Sequence, residues 1–204
     1  MFNKNTENFS ELLLFPQKVL LYRCKGFGEI KKELIEYCYS LKNKSTSKNL
    51  TLNNGWQSDP NSHTQKRFEP FLNFLNDNIE TCLKLYQLKP KGFYVDTCVI
   101  NIGGENSYHN SHIHPNTDIS GVFWITIPNN SGEFVFENPS NFGQNNLLNM
   151  LDKKESENKK MYHSYHINPI EGNILLFPSN LRHSVNLNRN KKDRITIGFN
   201  VTFV

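Results

Sequence analysis

The apolar residues of this chain change their repeat once, near residue 92, and that change limits the fold more than any other feature. Before it, "FGEIKKELIEYCYSLKNK" carries Ile30, Leu34, Tyr37, Cys38 and Leu41 at three-to-four spacing, which predicts an amphipathic helix over 27–43. Phe68, Phe71, Leu72, Leu75, Ile79, Cys82, Leu83 and Tyr86 predict a second over 66–86, ended by "LKPKG". After residue 92 the chain reads "FYVDTCVINI", "ISGVFWITIP", "GEFVFENP", "YHSYHINP", "GNILLFP", "RHSVNLN" and "RITIGFNVTFV", with Gly, Pro or Asn at nearly every junction. Strand signals that follow one another without helices exclude a parallel crossover fold. They predict a mostly β, antiparallel two-sheet sandwich of the jelly-roll kind, with both helices packed outside its larger sheet.

The remaining segments are expected to be connections. "ELLLFP" and "KVLLYRC" read as two short strands parted near Pro16, and "NKSTSKNLTLNNGWQSDPNS" as a polar loop holding Trp56 against the domain edge. The charged run over 140–162 reads as an insertion between strands, long enough to border a cavity mouth. At 204 residues one domain is expected, 1–204, with 1–91 as strands and supporting helices and 92–204 as the core. The net charge of +4 is spread too thinly to form a basic groove, which argues against nucleic acid as a partner. No apolar run approaches the roughly 20 residues of a membrane span, and "MFNKNTENFS" has no apolar leader core; a cytoplasmic location is expected. Cys24, Cys38, Cys82 and Cys98 are widely spaced and read as buried thiols.

Chemistry concentrates in the histidines. In "SHIHPNTDISGVFWI", His112 and His114 stand two apart and project to one side of an extended segment, so that both rings can reach one zinc or iron ion. An HxH pair on a surface strand is the plain alternative. His109, at an odd offset from His112, is expected on the other face, at the rim or in solvent. Towards the C-terminus, His183 lies on one short strand and Arg194 opens the next, so the two can face a common cavity. A guanidinium there can hold the carboxylate of a small acid whose other end meets the metal, with Thr196, two residues on, adding a hydroxyl. The competing reading pairs Arg194 with Asp193 or Glu171. Phe123, Trp124, Phe134 and Phe136 read as core.

The ordered pieces "NIGGENSYHNSHIHPNTDISGVFWITIP", "GEFVFENP", "GNILLFPSNLRHSV" and "DRITIGFN" resemble the iron- and 2-oxoglutarate-dependent oxygenases. Within them they are most similar to a small family of marine bacteria and their phages with an HxHP, SGV and FPS…H pattern. The likeness covers about residues 95–204, and the "LLLFPQKVL" opening more loosely. It implies a double-stranded β-helix, His112 and His183 as ligands of Fe(II), and Arg194 on the far carboxylate of 2-oxoglutarate. Asn101 and Tyr108 would then bond 2-oxoglutarate or substrate, Tyr108 having a rim-packing alternative. The superfamily motif is HxD/E…H, yet residue 114 is histidine. His114 is preferred as third ligand, with Asp118 as the alternative carboxylate.

The resemblance further implies an oxygenase that consumes molecular oxygen and 2-oxoglutarate, releases succinate and CO2, and hydroxylates a small molecule or a peptide or protein side chain. Two other classes share the sheet: a three-histidine, cupin-like metalloenzyme that does not use 2-oxoglutarate, and a binding or structural jelly roll without catalysis.

Overall fold

A computed structural model describes residues 16–140, 146–159 and 161–204 and shows one curled antiparallel sheet, a half-barrel, with helices on its outer face. In chain order the elements are β1 (Leu20–Arg23), α1 (Phe27–Lys42), β2 (Leu52–Gln57), α2 (Glu69–Tyr86), β3 (Phe93–His112), β4 (Ile119–Thr126), β5 (Phe134–Glu137), α3 (Leu147–Met150), α4 (Lys153–Lys159), β6 (Ser164–Ile167), β7 (Asn173–Pro178), β8 (His183–Val185) and β9 (Arg194–Phe203). The strands run β1-β7-β4-β9-β3-β8-β5-β6, with β2 on β3. This is the expected jelly roll with N-terminal helices. β3 is long enough to belong to both halves: Phe93 to Gly103 pair with β9, while His109 and His112 pair with β8.

Strand alternation divides the apolar residues between two cores. Ile100 and Ile102 of β3, Ile119, Phe123 and Ile125 of β4, Ile174 and Leu176 of β7, and Ile195, Ile197, Phe199 and Val201 of β9 pack with the helices, which contribute Leu34, Tyr37, Phe71, Leu75, Ile79 and Cys82. The opposite faces of β4 and β7 supply Val122, Trp124, Leu175 and Phe177 to a smaller cluster with Phe134, Phe136 and Leu181. Phe123 joins helix to sheet, its ring 5.3 Å from Phe27 and 5.6 Å from Phe74. The four expected core aromatics are therefore core, although they fall in different layers. All four cysteines are free and buried.

Two expectations need adjustment. Residues 44–63 hold a strand, β2, whose sequence "LNNGWQ" shows no apolar alternation; pairing with β3 makes it a strand, and a register shift between Asn53 and Gly55 breaks the repeat. The second helix begins at Glu69 after a short 3-10 turn at Lys66–Phe68, because Pro70 is best placed in a helix's first turn. The "ELLLFP" strand lies almost wholly outside the described residues. Among those described, no helix is long and apolar enough to cross a membrane. Phe123 is 1% exposed, so Phe123→Ala is expected to lower the unfolding free energy by about 3–5 kcal/mol in a urea melt.

Candidate metal centre

Three elements bring the histidines together. His112 ends β3, His114 follows it, and His183 opens β8 directly opposite His112 in the ladder. Their ring centroids are 4.3 Å apart for His112 and His183, 5.0 Å for His112 and His114, and 5.1 Å for His114 and His183. One nitrogen from each lies within 4.8 Å of the other two.

The orientation of each ring is set from behind. His112 Nδ1 donates to the Asn110 carbonyl at 2.7 Å, His183 Nδ1 to the Leu181 carbonyl at 2.8 Å, and His114 Nδ1 to Asn200 Oδ1 at 2.6 Å. A proton committed to Nδ1 leaves the lone pair on Nε2, and this is the outer-sphere pattern that fixes metal-binding imidazoles. His114 Nε2 is buried with no hydrogen-bond partner among the described residues, which fits a lone pair reserved for a metal ion. Desolvation lowers the pKa of all three; for His183, enclosed by Phe134, Phe136 and Phe177, burial and the neighbouring His112 bring it to about 3. All three are therefore neutral near pH 7, the state in which imidazole binds metal. The donor set fits a divalent transition metal.

The site opens on a cavity of about 440 Å³ walled by Val99, Val122, Trp124, Phe134, Phe177 and Val185. Arg194, Thr196, Gly198 and Asn200, successive inward positions of β9, line it together with Asn101. Arg194 is 3% exposed. Its Nη1 donates to the carbonyls of Ser131 and, at 3.4 Å, Asn186, whereas Nη2 is buried without a partner. Desolvation lowers its pKa to about 10, which leaves it charged at neutrality. The suggested carboxylate partners are engaged elsewhere: Glu171 binds Lys31, and Asp193 accepts from Tyr39 at 3.0 Å. Asn101 is held by Gln57 Nε2 at 2.8 Å and donates to Thr196 Oγ1 at 3.4 Å. Tyr108 is 38% exposed and does not line the cavity.

Gly132 is part of this arrangement. At φ 94° it sits where an added Cβ would lie 2.0 Å from the Asn186 carbonyl oxygen and 2.9 Å from Arg194 Nη1.

Asp118, the alternative third ligand, His109 and Asn200 need separate comment. Asp118 does not reach the histidines; its Oδ2 accepts from the Phe203 backbone N–H at 2.8 Å, at the far end of β9. His109 faces the cavity rather than solvent, because β3 shifts register against β8 between His109 and His112, and one extra residue turns an odd offset into a shared face. Asn200, which orients His114, was missed; its signal was the even spacing from Arg194 along β9.

A family model described as "Putative 2OG-Fe(II) oxygenase" matches residues 97–200, just over half of the chain. The chain belongs to this family. Among solved structures it is similar to a Pseudomonas putida prolyl-4-hydroxylase (10% identity, 92% of this chain and 94% of that one, TM-score 0.58). It is also similar to a Trichoplax adhaerens prolyl hydroxylase in complex with a hypoxia inducible factor peptide fragment (11%, 91% and 83%, 0.62). A third is Streptomyces hygroscopicus HygX with nickel and 2-oxoglutarate bound (10%, 92% and 84%, 0.61). These likenesses establish the double-stranded β-helix fold; the narrower grouping with marine bacteria and phages has no support in them. No curated protein matches the chain in sequence.

Membership does not carry the chemistry with it. The metal-ligand group is His112, His114 and His183, and among the described residues no Asp or Glu joins it. The expectation of an Fe(II)- and 2-oxoglutarate-dependent dioxygenase, with 2-oxoglutarate as co-substrate and molecular oxygen as oxidant, is overturned by this donor set. That chemistry uses two histidines and one carboxylate, whose charge offsets half of the ion's; three neutral imidazoles leave the full dipositive charge.

The depressed pKa of His183 has a consequence for stability. Above pH 6.5 the residue is neutral folded or unfolded and contributes no pH dependence. Below it the unfolded chain takes up a proton that the folded one refuses, so metal-free stability should fall as pH drops from 6.5 towards about 3. The slope from this group approaches about 1.4 kcal/mol per pH unit, and His183→Gln should flatten it in denaturant titrations at stepped pH.

Proposed function

We propose that the chain is a three-histidine metalloenzyme on the double-stranded β-helix that works without 2-oxoglutarate. The observation that carries this reading is the set of three Nδ1 atoms engaged with oxygen acceptors, which leaves each Nε2 to bind metal, in a group with one nitrogen from each ring within 4.8 Å of the others. Residues 92–204 supply all three donors and Arg194, and the earlier helices support them. His112, His114 and His183 would hold a divalent ion there, which would supply Lewis-acid chemistry.

The substrate class follows from the cavity. Arg194 is a buried cation with an unused N–H group, Thr196 and Asn101 add neutral polar contacts beside it, and the walls are apolar. A small acid with an apolar body satisfies both. The peptide fragment and the 2-oxoglutarate named for two of the similar structures belong to those proteins.

Cobalt(II) is the direct probe, since its visible spectrum reports coordination. Wild type should bind one ion per chain. His112→Ala, His114→Ala and His183→Ala should each weaken binding beyond the roughly 10–100-fold that loss of an outer-sphere partner costs, whereas Asp118→Ala should keep wild-type affinity. Adding 2-oxoglutarate should leave the cobalt spectrum unchanged. A spectrum that shifts on its addition, or a binding loss confined to Asp118→Ala, would sink this reading.

A further inference from the structure

His109 stands in the cavity with no task in the metal centre. The register shift in β3 puts it on the same wall as His112, and its electrostatic neighbours are Arg194, His112 and His183. It lines the same cavity as the metal-binding histidines and the buried guanidinium. Its Nδ1 lies 3.1 Å from Thr51 Oγ1, and that is its one side-chain hydrogen bond among the described residues. Its Nε2 has no hydrogen-bond partner among the described residues. Nor does it belong to the metal-ligand group, which is formed by His112, His114 and His183.

Thr51 bears on what Nε2 carries. The Thr51 hydroxyl has no other hydrogen-bond partner among the described residues and is free to donate its proton to Nδ1. A neutral imidazole that accepts at Nδ1 bears its proton at Nε2 and becomes a donor towards the cavity. Thr51 itself is fixed by its backbone: its N–H donates to Gln57 Oε1 at 2.9 Å, and its carbonyl accepts from the Asn110 N–H at 3.1 Å. The same Gln57 side chain holds Asn101. Thr51 and Gln57, at the two ends of β2, thus hold His109 and Asn101 on the cavity wall, although neither belongs to the metal-ligand group.

We propose that His109 holds an anion bound at the open face of the three-histidine centre, donating a hydrogen bond from Nε2 on the side nearer Arg194, with Thr51 fixing the tautomer. This rests on the three-histidine reading above and adds to it a specific contact for the substrate's charged group.

The test uses cobalt-loaded protein and azide as the anion, followed by visible absorbance. His109→Ala and His109→Phe should bind cobalt within about threefold of wild type and azide about tenfold more weakly, the loss expected for one charge-assisted hydrogen bond. His109→Gln, which keeps an N–H donor, should recover most of that loss. Independently, nitrogen NMR shifts of the zinc-loaded protein should place the His109 proton on Nε2, and Thr51→Val should release that preference while leaving cobalt affinity unchanged. Unchanged azide affinity in both His109→Ala and His109→Phe overturns the proposal, as does a proton found on Nδ1. Cobalt loss in His109→Ala with His109→Gln still folded would make His109 a ligand instead. A wild type that binds no cobalt would overturn the metal reading and this inference with it, an outcome distinct from a centre that binds cobalt and ignores His109.

Discussion

The alternation of side chains along β9 is the constraint on which the rest depends. β9 lies between β3 and β4 in the sheet, paired along most of its length with both. Its odd-numbered residues Ile195, Ile197, Phe199 and Val201 enter the core beneath the helices, and its even-numbered residues Arg194, Thr196, Gly198 and Asn200 line the cavity. A slip of one residue would turn the guanidinium into the helix core and the isoleucines into the site, so the packing that stabilises the fold also pins the register of the chemistry. Apolar burial under α1 and α2 is in this sense a condition for the metal centre.

The second half of the constraint is local. Two of the three histidine rings are braced by backbone carbonyls two residues before them, Asn110 for His112 and Leu181 for His183. Those acceptors are backbone carbonyls and need no particular side chain. His114 lies beyond the end of β3 and is held instead by Asn200 Oδ1, which also accepts from Ser120 Oγ at 3.0 Å. This third ring is therefore the one whose position reports on β4 and β9. It is also the ring at the position where the wider superfamily pattern has a carboxylate. A carboxylate there could bind metal through either oxygen, whereas an imidazole needs its Nδ1 satisfied and its ring steered, and Asn200 meets that need.

Family membership and donor set point to different chemistry, and the donor set governs it. The fold supplies a curled sheet, a buried arginine on the strand after the distal histidine, and an apolar pocket between them. Which reaction such a scaffold supports depends on the charge and geometry of a few ligands. Substituting a neutral ligand for a charged one leaves the surrounding sheet intact while changing the ion's net charge.

Much of this was legible in the sequence because it rests on short-range periodicity. The helices, eight of the nine strands, the same-face relation of His112 with His114, and that of Arg194 with Thr196 are legible in local sequence patterns, chiefly repeats of about 3.6 and 2. What the sequence could not disclose depends on pairing between distant segments. β2 is a strand only because β3 offers it a ladder; His109 enters the cavity only through a register shift against β8; Asp118 is drawn away by the Phe203 backbone N–H, 85 positions along the chain. Periodicity settles which way a side chain points within its own strand, but a bulge resets that direction and a distant donor recruits an acceptor. Both were decided by tertiary contacts.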